Sequence, residues 1–114
     1  MKQETLTCGN KEYHVLIGQN SHENTELVDT SDQKNIWFHV ANAPSCHVVL
    51  KTECKIRDIP LQVIKWCAHE CKSRSKSKSV QNCEIIYTQI ENVETTKIPG
   101  QVNTPMDKLK FIKI

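Results

Sequence analysis

Asn35-Ile36-Trp37-Phe38-His39-Val40, followed by Pro44-Ser45-Cys46-His47-Val48-Val49-Leu50, decides how this chain folds. The two runs read as short strands joined by the loop Ala41 to Cys46. Successive side chains of a strand point to opposite faces of a sheet. Ile36, Phe38 and Val40 therefore share one face, expected to be the core face, while Trp37 and His39 share the other. In the second run Val48 and Leu50 fall on one face, His47 and Val49 on the other. Pro44 and its small polar neighbours suit a turn. Two readings of Trp37 and His39 stand side by side. A helix covers them and His39 caps a loop, because sheets are often covered on both faces, or they face a ligand.

Upstream, Tyr13, Val15 and Ile17 alternate through Glu12–Gly18, which predicts a strand. Leu6 and Cys8 form its hairpin partner across Gly9-Asn10. Asn20 or Ser21 is a suitable N-cap for a short helix carrying Asn24 and Leu27, since a capping side-chain oxygen accepts from a free backbone N–H. In that setting both Asn residues are read either as turn and cap fixtures or as site residues. Residues 29–34 form a polar loop.

Downstream, a helix begins near Pro60, with Asp58 just ahead of it. Leu61, Ile64, Cys67, Ala68 and Cys71 recur at helical spacing and predict its buried stripe. Gln62, Lys65, His69 and Trp66 fall outside that stripe, so Trp66 is expected to be exposed. Lys72-Ser73-Arg74-Ser75-Lys76-Ser77-Lys78-Ser79 ends the helix or leaves it as a flexible extension. The run contains no acid, which favours contact with phosphate. Residues 83–90 read as a strand and residues 92–105 as loop. Leu109, Phe111 and Ile112 belong to a last strand. The predicted order is β-β-α-β-β-α-β-β, an α+β domain occupying residues 1–114.

A chain of 114 residues supports one domain with a modest core. No apolar run reaches transmembrane length, and residues 1–5 lead into no hydrophobic region of a secretory signal. A soluble, cytoplasmic protein without membrane partners is the expectation. Six Cys are then expected to be reduced thiols, several of them small core residues. The net charge of +2 is unevenly spread. Residues 1–50 carry 3 basic and 6 acidic side chains, residues 51–80 carry 8 and 3, and the remainder carry four of each. The basic middle permits nucleic-acid binding where the bulk charge would not suggest it.

Gly18, Asn20, Asn24 and Leu27, then Trp37 and His39, then His47 and Val48, make an ordered series. It resembles the NFACT-R domain of ribosome quality-control factors. These include nuclear export mediator factor and bacterial relatives once called fibronectin-binding proteins. A stand-alone version forms the N-terminal part of some eukaryotic coiled-coil domain-containing proteins. The family pattern is Gly-x-Asn-x-x-x-Asn-x-x-Leu, an Asp-x-Trp-x-His strand and a Gly-Ser-His-Val turn. Here Asn35 stands where the Asp usually is, and Ser45-Cys46 replaces Gly-Ser. Ile85-Ile86-Tyr87-Thr88 and Pro99-Gly100-Gln101-Val102 also look like the family, so the similarity runs from about residue 13 to residue 114. The resemblance implies a compact α+β domain that binds RNA.

The chemistry visible in the residues points the same way. Cys67-Ala68-His69-Glu70-Cys71 does not fit zinc, because His69 points away from the two thiols and no paired C-x-x-C is present. Cys46 and His47 are strand neighbours on opposite faces, which argues against a thiol–imidazole pair. No nucleotide loop or catalytic serine motif appears. No cofactor, no metal and no enzyme activity are expected. Recognition is left: Trp37 and His39 stacking on unpaired bases, Asn20, Asn24, Ser45 and His47 supplying hydrogen bonds, and Lys72, Arg74, Lys76 and Lys78 touching phosphates. That these groups form one site is implied by the resemblance. The expected partner is tRNA or ribosomal RNA, together with the ribosome or a quality-control protein. Two other readings remain. One is a protein–protein module using Trp66 and the acidic first half. The other is a small RNA-modifying or thiol enzyme using His39, His47 or Cys46.

Overall fold

The computed structural model describes residues 1–114. Strands β1 (Lys2–Cys8) and β2 (Lys11–Ile17) form a hairpin whose two-residue turn contains Gly9 at φ +65°. Helix α1 (Ser21–Thr30) follows, then β3 (Ile36–Val40), β4 (Val48–Lys51), α2 (Leu61–Ser73) and β5 (Glu84–Gln89). A small ribbon of β6 (Glu94–Thr95) and β7 (Val102–Asn103) precedes β8 (Lys110–Lys113). Six strands make one sheet in the order β1-β2-β4-β3-β5-β8, and every neighbouring pair is antiparallel. The fold is α+β, and the six strands of the main sheet with the two helices follow the predicted order. The ribbon lies in the stretch read as loop. Each of its strands is only two residues long, too short to leave a periodic signal.

The alternation in β3 and β4 has the consequence expected of a pleat: each strand feeds two cores. Ile36, Phe38, Val40, Val48 and Leu50 join Tyr13, Val15, Ile17 and Ile85 under α2. Trp37 and Val49 turn to the other face and pack with Ile90 and with Leu27 and Val28 of α1. The sheet is thus covered on both faces, and Trp37 is only 1% exposed. This corrects its role as a base-stacking platform.

Two details of α2 also differ from the helical-spacing reading. Its buried face is Val63, Ile64, Cys67, Ala68 and Cys71, while Leu61 is 59% exposed. Val63 swings the centre of the stripe away from Leu61, which sits at the helix's first residue. Trp66 is half-buried, its large indole packed against the main core. The interaction-module reading, which needed an exposed Trp66, loses its anchor. No helix is long and apolar enough to cross a membrane.

Candidate functional site

The end of β2, the start of α1, the end of β3 and the loop before β4 meet around a cleft of 620 Å³. Its formation begins with Gly18. A Cβ at this position would overlap Asn24 Oδ1, so only glycine lets α1 approach the sheet this closely. Asn24 then uses that oxygen to accept the backbone N–H of His47 at 3.1 Å, and Gly18 N–H donates to the His47 carbonyl at 3.0 Å. Asn20 caps α1 by accepting Glu23 N–H at 2.9 Å, and Glu23 accepts in return from Gln19 N–H. The start of α1 at Ser21 forms one wall, where the helix dipole favours an anion.

The opposite wall comes from β3 and the loop after it. His39 lies on the cleft and stacks on Trp37, ring centroids 5.5 Å apart at 13°. His47, 1% exposed, meets both rings edge-on. The His39 Nδ1–H donates to the Val40 carbonyl at 2.6 Å. Burial lowers the His39 pKa, so the neutral ring leaves Nε2 as an acceptor. Burial, reinforced by the His39 ring, pushes His47 down to about 3. Ser45 accepts Val40 N–H at 3.1 Å, supplying the partner that β4 no longer offers there.

The predicted residues do not all meet. Asn20, Asn24, His39, Ser45, Arg74 and Lys76 line the cleft. Trp37 and His47 lie behind it as buried supports. The basic run is divided, because α2 ends at Ser73 and the chain turns. Lys72 and Lys78 border a different hollow with His69, and Lys72 is tied to the Ile114 carbonyl at 2.8 Å. Arg74 is bound to Glu70 at 3.0 Å and sits 3.6 Å from Glu4, so its charge is largely answered within the chain. Lys76 forms no ion pair.

Cleft residues outside the predicted set include Gly18, Gln19, Ser21, Cys46, Pro99 and Gly100. The β6–β7 hairpin brings Pro99-Gly100 here. Gly100 has φ +83° and its N–H donates to Thr25 Oγ1 at 2.7 Å. A Pro-Gly pair announces a turn, but a turn signal does not tell which wall it will rest on. Cys46 has its thiol held below the usual range by the neighbouring Cys71 side chain, which opposes the effect of burial. No group of three His, Cys, Asp or Glu side chains is placed to hold a metal ion. The arrangement is suited to holding a polar, anionic ligand against a fixed acceptor.

A family model described as the NFACT protein RNA binding domain matches residues 5–105. Coiled-coil domain-containing protein 25 of Mus musculus is 34% identical over 87 residues, covering 74% of this chain and 42% of that protein. Protein JLP2 of Saccharomyces cerevisiae is 33% identical over 99 residues, covering 80% and 48% respectively. The chain spans less than half the length of these curated relatives. Among solved structures, the C-terminal part of the fibronectin/fibrinogen-binding protein from Streptococcus suis matches all of this chain with 45% of its own. The TM-score is 0.84 at 20% identity, a likeness of fold. With the motifs of β3 and β4, the cleft they build and the match over residues 5–105 in agreement, this chain belongs to the NFACT protein RNA binding domain family.

Proposed function

We propose that the cleft binds an unpaired segment of RNA, and that the domain works by recognition, without catalysis, on tRNA or ribosomal RNA in translation or its quality control in the cytoplasm. The observation that carries this reading is a convergence on one polar cleft. The N-terminus of α1, the unpaired Lys76 ammonium and the neutral acceptor His39 all border it. A volume of 620 Å³ is within the range of small-ligand sites, which admits a nucleotide but not a duplex. Helix dipole and cation suit a backbone phosphate. An acceptor nitrogen suits a 2′-hydroxyl, the group that separates RNA from DNA. Cys46 faces the cleft without a hydrogen bond to either histidine, which weighs against the thiol-enzyme alternative.

Fluorescence anisotropy with a labelled single-stranded RNA and its DNA counterpart tests the site. His39→Ala should weaken RNA binding by about 10-fold and shrink the preference for RNA over DNA, a loss of about 1.4 kcal/mol. Lys76→Gln should weaken both ligands and reduce the salt slope by about 0.7, the value for one phosphate contact on a single strand. Folded variants that bind like the parent would remove the cleft from consideration. Crosslinking in cells and sequencing the bound RNA identifies tRNA or ribosomal RNA.

A further inference from the structure

At the far end of β3 from the cleft lies a second concavity of 570 Å³. The cleft is at the Val40 end of this strand, the groove at the Ile36 end, where β4 and β5 finish and β8 begins. Five cations converge on it from three separate segments: Lys34 before β3, Lys55 and Arg57 after β4, and Lys108 and Lys110 at the turn into β8. All five side chains are exposed, and none makes an ion pair or a hydrogen bond within the chain. Glu53 and Glu91 also border the groove, so its lining charge is +3, from five cations against two carboxylates. This contrasts with Arg74 at the cleft, which two glutamates already hold.

The groove is fixed rather than assembled from loose ends. Asn35, buried beside Lys34, donates from Nδ2 to the Thr52 carbonyl at 3.1 Å and accepts Asp32 N–H, tying the segment before β3 to the one after β4. Thr88, 1% exposed, donates its hydroxyl to the Lys108 carbonyl at 2.9 Å and accepts from Asn92 Nδ2 at 3.0 Å. The backbone is thereby held to one sheet end beside Lys34, at Thr52 three residues ahead of Lys55, and at Lys108 itself. Unpaired like charges crowded on a fixed concave surface repel one another, and an arriving polyanion relieves that repulsion.

We propose that this groove is a second phosphate-binding surface, which grips another segment of RNA backbone while the cleft holds an unpaired one. The proposal rests on the reading of the family domain as acting on RNA, but not on the cleft. The five residues of β3 separate the two surfaces by roughly 16 Å along the strand. A short oligonucleotide seated in the cleft would not occupy both, whereas a folded RNA would.

The test compares two probes, a six-nucleotide single-stranded RNA and bulk tRNA, with the parent and with a triple variant, Lys55→Gln/Arg57→Gln/Lys108→Gln. All three positions are exposed, and circular dichroism verifies the fold. The expected result is a loss of tRNA affinity of 10-fold or more, a salt slope reduced by about 2–3, and hexanucleotide binding unchanged within twofold. Unchanged tRNA affinity and salt slope in the triple variant overturn the groove while leaving the cleft reading intact. A loss of affinity without a change in salt slope also overturns it, because phosphate contacts release counterions. If the triple variant loses a polyglutamate peptide but keeps tRNA, the groove serves an acidic protein and the proposal fails. Loss of tRNA in the triple variant but not in His39→Ala upholds the groove and removes the cleft. A parent that binds neither RNA overturns both.

Discussion

Asn24 Oδ1 and the backbone N–H of His47 are joined by a 3.1 Å hydrogen bond, and Gly18 alone leaves room for it. This bond fastens α1 to the start of β4 and thereby sets the width of the cleft. Asn24→Ala strands a buried donor, which should cost about 1–3 kcal/mol. Gly18→Ala forces the side chain of Asn24 aside and should cost a similar ~1–3 kcal/mol. Urea unfolding measures both. Because each disturbs the same contact, the double variant should lose clearly less than the sum of the two. Simple additivity would show that they act independently.

Phe38 and Trp37 are sequence neighbours in different cores. Truncating either to Ala empties a buried aromatic site and should lower stability by ~3–5 kcal/mol, read as a drop in melting temperature. Trp37→Ala should also weaken RNA binding, because His39 loses the ring it lies on, whereas Phe38→Ala should leave the binding of the remaining folded protein close to the parent's. A Trp37→Ala protein with the parent's melting temperature would contradict its burial.

Acid should weaken the fold in a defined window. The folded state holds His47 at about 3 against an ordinary 6.5, and burial lowers His39 as well. Between these values the unfolded chain binds more protons, so stability is complete above about 6.5 and falls as the pH drops toward 3. The loss should reach roughly 1–2 kcal/mol by about pH 5. Denaturant midpoints from pH 7.5 to 5 check this, and His47→Asn should flatten the curve. A flat curve in the parent would mean that His47 is not held neutral.

The thiols should separate by reactivity. All six cysteines are free. Cys46 borders the cleft with its thiol held below the usual range by Cys71, whereas burial raises Cys67, and the Cys46 side chain together with burial raises Cys71. A maleimide should therefore label Cys46 well before Cys67 or Cys71, and saturating single-stranded RNA should slow that labelling. Equal rates with and without RNA would place the ligand elsewhere.

Much of this architecture was legible in the period-2 pattern around residues 36–50, because every side chain there commits to a face. The same pattern is silent about what covers each face. Trp37 could equally have looked outward, and only the docking of Leu27 and Val28 decides that it does not. Gly18, Asn20 and Asn24 marked the cleft through their motif. The basic run marked it less well, because consecutive residues of a turn disperse, and Lys72 and Lys78 end up elsewhere. The five cations of the groove are scattered from residue 34 to residue 110; Lys55 and Arg57 counted toward the basic middle, but nothing in the sequence joined them to Lys34, Lys108 and Lys110.

The two cores are unequal: 16 buried residues lie on the α2 side and 5 on the α1 side. The cleft is built against the smaller one, since α1 forms its wall and Trp37 supports His39. Regions with few buried contacts open at lower free energy than the whole molecule. Backbone amides of α1 should therefore exchange with deuterium sooner than those of α2, and the site should be lost and regained many times for each global unfolding event. A bound RNA would then be felt first as slower local breathing of α1, with the larger core unaware of it.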